Sequence, residues 1–237
     1  MSDQQKAIFA NVSSVQLRIA AAAERAGRHP QAITVMAVTK TQPAESLIAC
    51  YEAGIRSFGE NRVQEFAAKR TQLAGLSGAT FTLIGRLQSN KANKAVELFS
   101  EIHSLDSLRL AERINAAVGG SGRPPMSVAI EINTGDPAKA GLNPEAPELE
   151  QLLLAAERLP HLKIKGLMTI PPFTEDPEGA RPYLRRLREL RDSIAARRLP
   201  GIAMQILSMG MSHDFEVAIE EGSTCVRVGT AIFGERQ

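Results

Sequence analysis

The sequence predicts an α/β protein built as a single (β/α)8 barrel with an extra N-terminal helix, one domain over residues 1–237. Three observations carry this reading. Short apolar runs alternate with longer segments of helical period, and strands separated by helices imply parallel pairing, because parallel neighbours need a crossover connection. About eight such units fit a chain of 237 residues, the size of one such barrel. The rival, an open doubly wound sheet, would carry G-x-G-x-x-G after its first strand, and none is present.

The elements follow in order. Residues 4–28 read as an amphipathic helix, with Ile8, Val12, Val15, Leu17 and Ile19 among alanines and an end near Gly27. The first strand is predicted at 33–40 (ITVMAVTK), an apolar run that finishes on Lys40 before turning through Pro43 into a helix at 44–53. A strand at 56–59 (RSFG) precedes a helix at 62–74, and one at 80–85 (TFTLIG) precedes a helix at 90–99. The fourth strand, 102–105 (IHSL), leads to a helix at 107–118 and the Gly/Pro loop GGSGRPP at 119–125. Strands at 126–133 (MSVAIEIN) and 162–170 (LKIKGLMTI) are followed by helices at 145–159 and 178–198. The last pair, 203–209 (AMQILSM) and 224–229 (TCVRVG), flanks a helix at 214–221. Arginine is abundant in 181–198, but Tyr183, Leu187, Leu190 and Ile194 make one apolar stripe, so these arginines read as the solvated face of a barrel helix rather than a nucleic-acid surface.

Composition narrows the function classes. Apolar residues make up 43 %, enough for a substantial core. With 28 Lys+Arg against 26 Asp+Glu, the net charge of +2 gives no reason to expect nucleic acid or a membrane surface as partner. Cys50 and Cys225 form no C-x-x-C, so neither a disulfide framework nor a zinc site is indicated. His29, His103, His161 and His213 show no metal-ligand spacing, and only His213, beside Ser212, bears on the candidate site. The opening MSDQQKAIF lacks a basic and apolar leader, and no apolar run reaches membrane-spanning length, so a soluble cytoplasmic protein is expected.

In a barrel of this kind the active site forms where strands end and the following loops begin. Lys40, GEN (59–61), IGRLQSN (84–90), GLMTIPP (166–172), SMGMSHD (208–214) and RVGTAIFG (227–234) gather there. The loops after the seventh and eighth strands are the recurrent phosphate corner. Gly210 and Gly229 allow close approach of backbone N–H groups to an anion, Ser212 sits where it either caps the helix opening at Asp214 or binds the anion, and Thr230 follows directly. A strand-end lysine can form a Schiff base with an aldehyde. Lys40 on one side and a phosphate cradle on the other define a ligand with both groups. Pyridoxal 5′-phosphate (PLP) fits, and so does the sugar phosphate of a class I aldolase. Arg227 shares a strand face with Gly229 and either donates to a pyridine nitrogen or pairs with a carboxylate such as Glu131. Met168, Met209 and Met211 read as pocket or core filler, and Asp136, Lys139 and Gly141 as an anion site or a loop.

These stretches carry a family likeness. AVTKTQP, AGIRSFGENRVQE, IGRLQSNK, GLMTIPP, LSMGMSHD and GSTCVRVGTAIFGER span nearly the whole chain. Through them the sequence resembles the pyridoxal-phosphate homeostasis family, also called the proline-synthase co-transcribed or YggS-like family, whose fold is like the N-terminal barrel of alanine racemase, the type III class of PLP proteins. The resemblance implies that Lys40 carries PLP as an internal aldimine. It implies further that Ser212, Gly229 and Thr230 hold the phosphate, Arg227 meets the pyridine nitrogen and Asn61 lies beside the ring. It also implies a cofactor carrier or regulator, a monomer whose partners are PLP and PLP-requiring apoenzymes, with low amino-acid racemase activity as the alternative. A racemase needs a tyrosine acid/base supplied by a second domain, whereas this chain ends after its barrel and its tyrosines, Tyr51 and Tyr183, lie in predicted helices. Two positions depart from the family's pattern: Thr82 stands where a histidine is usual, and Arg62 follows GEN where tyrosine is usual. Both are expected at the pocket's rim.

Overall fold

A computed structural model describes residues 1–135 and 140–235. Eight parallel strands, paired in chain order, close on themselves into a barrel. They are β1 (Thr34–Val38), β2 (Ser57–Glu60), β3 (Thr80–Leu83), β4 (Glu101–Leu105), β5 (Met126–Glu131), β6 (Leu162–Met168), β7 (Ile202–Met211) and β8 (Cys225–Val228). Closure is made by β1, which pairs with β2 through Met36↔Ser57 and with β8 through Met36↔Arg227. No strand edge is left to template a further strand.

The helices are α1 (Asp3–Arg25), α2 (Ala44–Glu52), α3 (Val63–Lys69), α4 (Ala92–Leu98), α5 (Leu108–Gly119), α6 (Pro147–Ala155), α7 (Arg181–Ala196), α8 (Phe215–Glu220) and α9 (Thr230–Phe233). Helix α1 opens with a reciprocal cap, in which Ser2 Oγ accepts from the Gln5 N–H and Gln5 Oε1 from the Ser2 N–H. Its buried stripe, Ile8, Val12, Val15, Ile19, Ala22 and Ala23, lies against α2, α8 and α9. Leu17, expected on that stripe, is 72 % exposed, because it falls off the i, i+4 row the others follow. Outward-facing Phe58 and Phe81 stack at 5.5 Å, and Phe66 of α3 packs on Phe81 at 4.9 Å and on Phe99 at 4.8 Å. This aromatic block seats α3 against β2 and β3.

All eight predicted strands are present, with shifted ends. β1 stops at Val38, two residues before Lys40, because residues 39–41 turn, with Thr41 at φ 64°. β7 runs on to Met211, beyond the expected 209. The helical stretches at 62–74, 145–159 and 178–198 each combine an α-helix with a 3-10 turn. Helix α9 was not anticipated, since four residues are too few to show a helical period. On α7 Leu187 and Ile194 of the expected stripe are buried, Leu184 joins them and Tyr183 and Leu190 are half-buried, and Arg181, Arg185 and Arg188 converge on buried Glu221 at 3.2, 2.9 and 2.9 Å rather than standing free in solvent. Among the described residues no helix is long and apolar enough to cross a membrane.

Candidate functional site

Side chains alternate along each strand, and the inward set here is more polar than the branched aliphatic filling usual in such barrels. Thr82, His103, Glu131, Ser208 and Arg227 are all buried. Above them, at the carboxyl ends of the strands, lies a cavity of about 280 Å³. Lys40, Asn61, Ser212, Arg227, Gly229 and Thr230 all line it, with Val38, Ile84, Ile170 and Phe233 as apolar wall. A hollow of about 560 Å³ opens at the opposite end of the barrel, and a cleft of about 780 Å³ adjoins the rim. Both are larger, but neither gathers these six residues.

Lys40 is half-buried on a turn fastened from both sides. Thr39 Oγ1 donates to Glu60 Oε1 at 2.6 Å, Lys69 Nζ donates to the Thr39 carbonyl at 2.9 Å and the Gln42 carbonyl at 3.2 Å, and the Thr41 N–H donates to Glu65 Oε1. Lys69 Nζ also sits 2.7 Å from Glu60 Oε1. Burial pushes the Glu60 carboxyl up, while the Lys69 ammonium and the Thr39 hydroxyl pull it back. Sequence reasoning did not find this network. Glu60 lay within GEN and Lys69 in a helix, but nothing in their spacing announces a pair. Only Glu65 and Lys69, at i and i+4, offered a local hint.

Ser212 belongs to the site for a different reason from capping. Its Oγ accepts the N–H groups of Gly229 at 3.1 Å and Ala231 at 3.2 Å, so two backbone donors at the start of α9 converge on one point. The Asp214 carboxylate, just before α8, instead reaches back to the end of β7 and accepts the Met211 N–H at 2.6 Å. Gly210, read as an approach point for an anion, does other work. At φ 92° an added Cβ would lie 2.5 Å from Ala218 Cβ, so glycine is required for α8 to pack on β7. Gly85 has a similar role: a Cβ there would meet the Asn61 backbone at 2.3 Å, and this close crossing places Asn61 at the cavity. Lys40 and the Gly229 turn follow β1 and β8, which are neighbours, so the amine and the donor cradle are side by side rather than on opposite sides of the barrel.

Arg227 is 3 % exposed and held by neutral acceptors. It donates to the Ser208 carbonyl at 2.6 Å, to Ser208 Oγ at 2.9 Å and to the Thr169 carbonyl at 2.7 Å, leaving guanidinium N–H groups uncommitted. The alternative pairing with Glu131 is not formed. Glu131, 6 % exposed, is pushed up to about 7, chiefly by burial and further by Asp106, with Arg227 and Arg86 pulling it back. A carboxyl whose folded pKa is raised binds more protons folded than unfolded, so stability falls as pH climbs from the ordinary 4.5 through about 7. Glu131→Gln should therefore remove that slope and stabilise the protein at pH 8 by roughly 2–3 kcal/mol. Urea midpoints at pH 5 and 8 read this out, and an unchanged slope would show that Glu131 does not titrate there.

The remaining expectations divide. His213 lines the cavity, with Nε2 3.0 Å from the Thr174 carbonyl oxygen and its ring 5.3 Å from that of Phe173. Met211 lines it too, whereas Met168 and Met209 are core. Thr82 is fully buried within the barrel rather than at the rim, and its hydroxyl has no partner. Arg62 lies in the adjoining cleft. Asp136 and Lys139 fall outside the described residues; Gly141 packs its backbone against Ile132 and Asn133. Gln42, Ile84 and Phe233 join the cavity without having been singled out.

Comparison with known proteins places these features among relatives. Residues 11–237 match the family described as "Alanine racemase, N-terminal domain". The chain is 45 % identical over 227 residues to the pyridoxal phosphate homeostasis protein of Aquifex aeolicus, covering 95 % of this chain and 97 % of that protein. It is 40 % identical to the protein of the same name from Pseudomonas aeruginosa, covering 97 % and 96 %. Among solved structures, PipY of Synechococcus elongatus with PLP bound superposes with a TM-score of 0.84 at 36 % identity, over 96 % of this chain and all (100 %) of that one.

Proposed function

Because this chain belongs to the family of the pyridoxal phosphate homeostasis proteins, we propose that it binds PLP in the rim cavity, joined to Lys40 as a Schiff base, and keeps the cofactor for PLP-requiring apoenzymes. One observation carries this reading: the Lys40 turn and the donors converging at Ser212 follow neighbouring strands. In PLP the aldehyde and the phosphate arm sit on adjacent ring carbons, so a side-by-side amine and anion cradle match its shape. The wall of Val38, Ile84 and Phe233 suits a flat aromatic ring.

The roles follow from chemistry. Lys40 would hold the aldehyde end of the cofactor, its amine being the nucleophile that a Schiff-base link requires. The Ser212 hydroxyl, whose oxygen accepts the Gly229 and Ala231 N–H groups and so leaves its proton free to donate, would hold the phosphate together with the Thr230 hydroxyl, with Gly229 leaving room for the anion. Arg227 donates to the ring nitrogen and stays charged, which disfavours protonation of that nitrogen. When bound, PLP supplies an electron sink for carbanion chemistry, and an unprotonated ring weakens that sink.

Storage without turnover is the favoured reading. Racemisation by two bases needs a proton carrier on each face of the reacting carbon. Among the described residues no tyrosine lines the cavity. Tyr51 donates its hydroxyl to the Ser77 carbonyl at 2.8 Å, and the Tyr183 ring lies against Gly135. Burial of Cys50 and Cys225 as free thiols supports a reducing, cytoplasmic setting.

Purified protein should be yellow, and borohydride should fix a pyridoxyl group on the peptide containing Lys40. Addition of a PLP-requiring apoenzyme in excess should drain the colour from unreduced protein. Label on another residue, or none, would overturn the assignment, and steady racemisation of a common amino acid far above the rate of free PLP would make the protein an enzyme.

A further inference from the structure

The cleft of about 780 Å³ beside the cofactor cavity shares Asn61 with it and runs between the loops that follow β2, β3 and β4. Arg62, Arg86, Lys91 and Arg109 line it, and Arg113 extends the row into the next hollow. Arg86 Nε is 3.9 Å from Asp106 Oδ2 with 79 % of its side chain exposed, and the other four side chains have no hydrogen-bond or ion-pair partner among the described residues. In a chain with a net charge of only +2, this is a local concentration of unpaired positive charge at the mouth of the candidate site.

We infer that this cleft docks an extended acidic segment of the protein that receives the cofactor. The inference rests on the storage reading above. Exposed cations on long stems gain little from a single small anion, since each such pair contributes weakly. An acidic chain that meets several at once adds these contributions, and the field of the row speeds encounter. Single-stranded nucleic acid would also meet the charge, but its bases need aromatic faces, and none lines the cleft among the described residues. A segment lying along Arg109 and Arg62 ends at Asn61, where the two hollows meet.

The test uses the full chain, first incubated with PLP, and a fluorescein-labelled oligo-glutamate peptide followed by anisotropy at low salt. Arg62→Glu with Arg109→Glu should weaken binding by about tenfold or more, since reversal replaces attraction with repulsion. Arg158→Glu, outside the cleft, should leave it unchanged. If the double reversal does not fold, Arg62→Gln with Arg109→Gln should still weaken binding severalfold. Undiminished peptide binding by the charge-altered pair, or tighter binding of oligo-uridylate than of the peptide, overturns the docking assignment. Cofactor absorbance recorded on the same samples separates the two readings: a colourless wild-type protein would sink storage, whatever the peptide does.

Discussion

Lys40→Ala should fold normally and lose essentially all covalently held cofactor. The turn that carries Lys40 is fastened through its neighbours, by Thr39 to Glu60 and Lys69 and by Thr41 to Glu65. Removing the amine leaves those ties in place, so the unfolding free energy should change by less than about 1 kcal/mol. The donors at Ser212, Gly229 and Thr230 remain, so PLP should still associate, but reversibly, and desalting should strip it. The measurement is the visible spectrum after loading and desalting, followed by borohydride reduction and mass analysis. A desalted alanine variant that retains the wild-type colour and a pyridoxyl adduct would place the attachment elsewhere.

Lys69→Met should be the most destabilising single change near the site. Glu60 is fully buried, and its Oε2 already lacks a partner, so Lys69 is the charge that makes its burial tolerable. Methionine keeps the length and loses the ammonium, leaving a buried carboxylate alone at a cost of about 3–5 kcal/mol. The loss should shrink as pH falls, because a lone buried carboxyl can then take a proton, and its folded pKa lies above the unfolded one. Adding Glu60→Gln should recover much of the loss, a coupling that a double-mutant cycle in urea would measure. The variant should also release cofactor faster, since the Thr39 and Gln42 carbonyls lose their donor. A loss below about 1 kcal/mol would show that Glu60 is neutral in the wild-type fold.

Period made the barrel legible: eight apolar runs separated by helical stretches leave little choice of architecture. Period two along β8 likewise put Arg227 and Gly229 on the same face, and both line the cavity. What failed were inferences needing a dihedral or a distant neighbour. Gly210 looked like an anion contact until its φ and its proximity to Ala218 showed a packing role. For Ser212 the sequence left a helix cap and an anion contact as alternatives and could not show that its oxygen accepts N–H groups from the next strand's turn, a pairing that exists only once β7 and β8 lie together. The Glu60–Lys69 pair was invisible because the aromatic block, not local spacing, brings α3 over the end of β2.

The seam between β1 and β8 also has a consequence for folding. The turns carrying position 40 and Gly229 lie almost a whole barrel apart along the polypeptide and meet only once the ring has closed. A ligand that needed both would wait for that long-range closure, so its uptake would report a completed barrel.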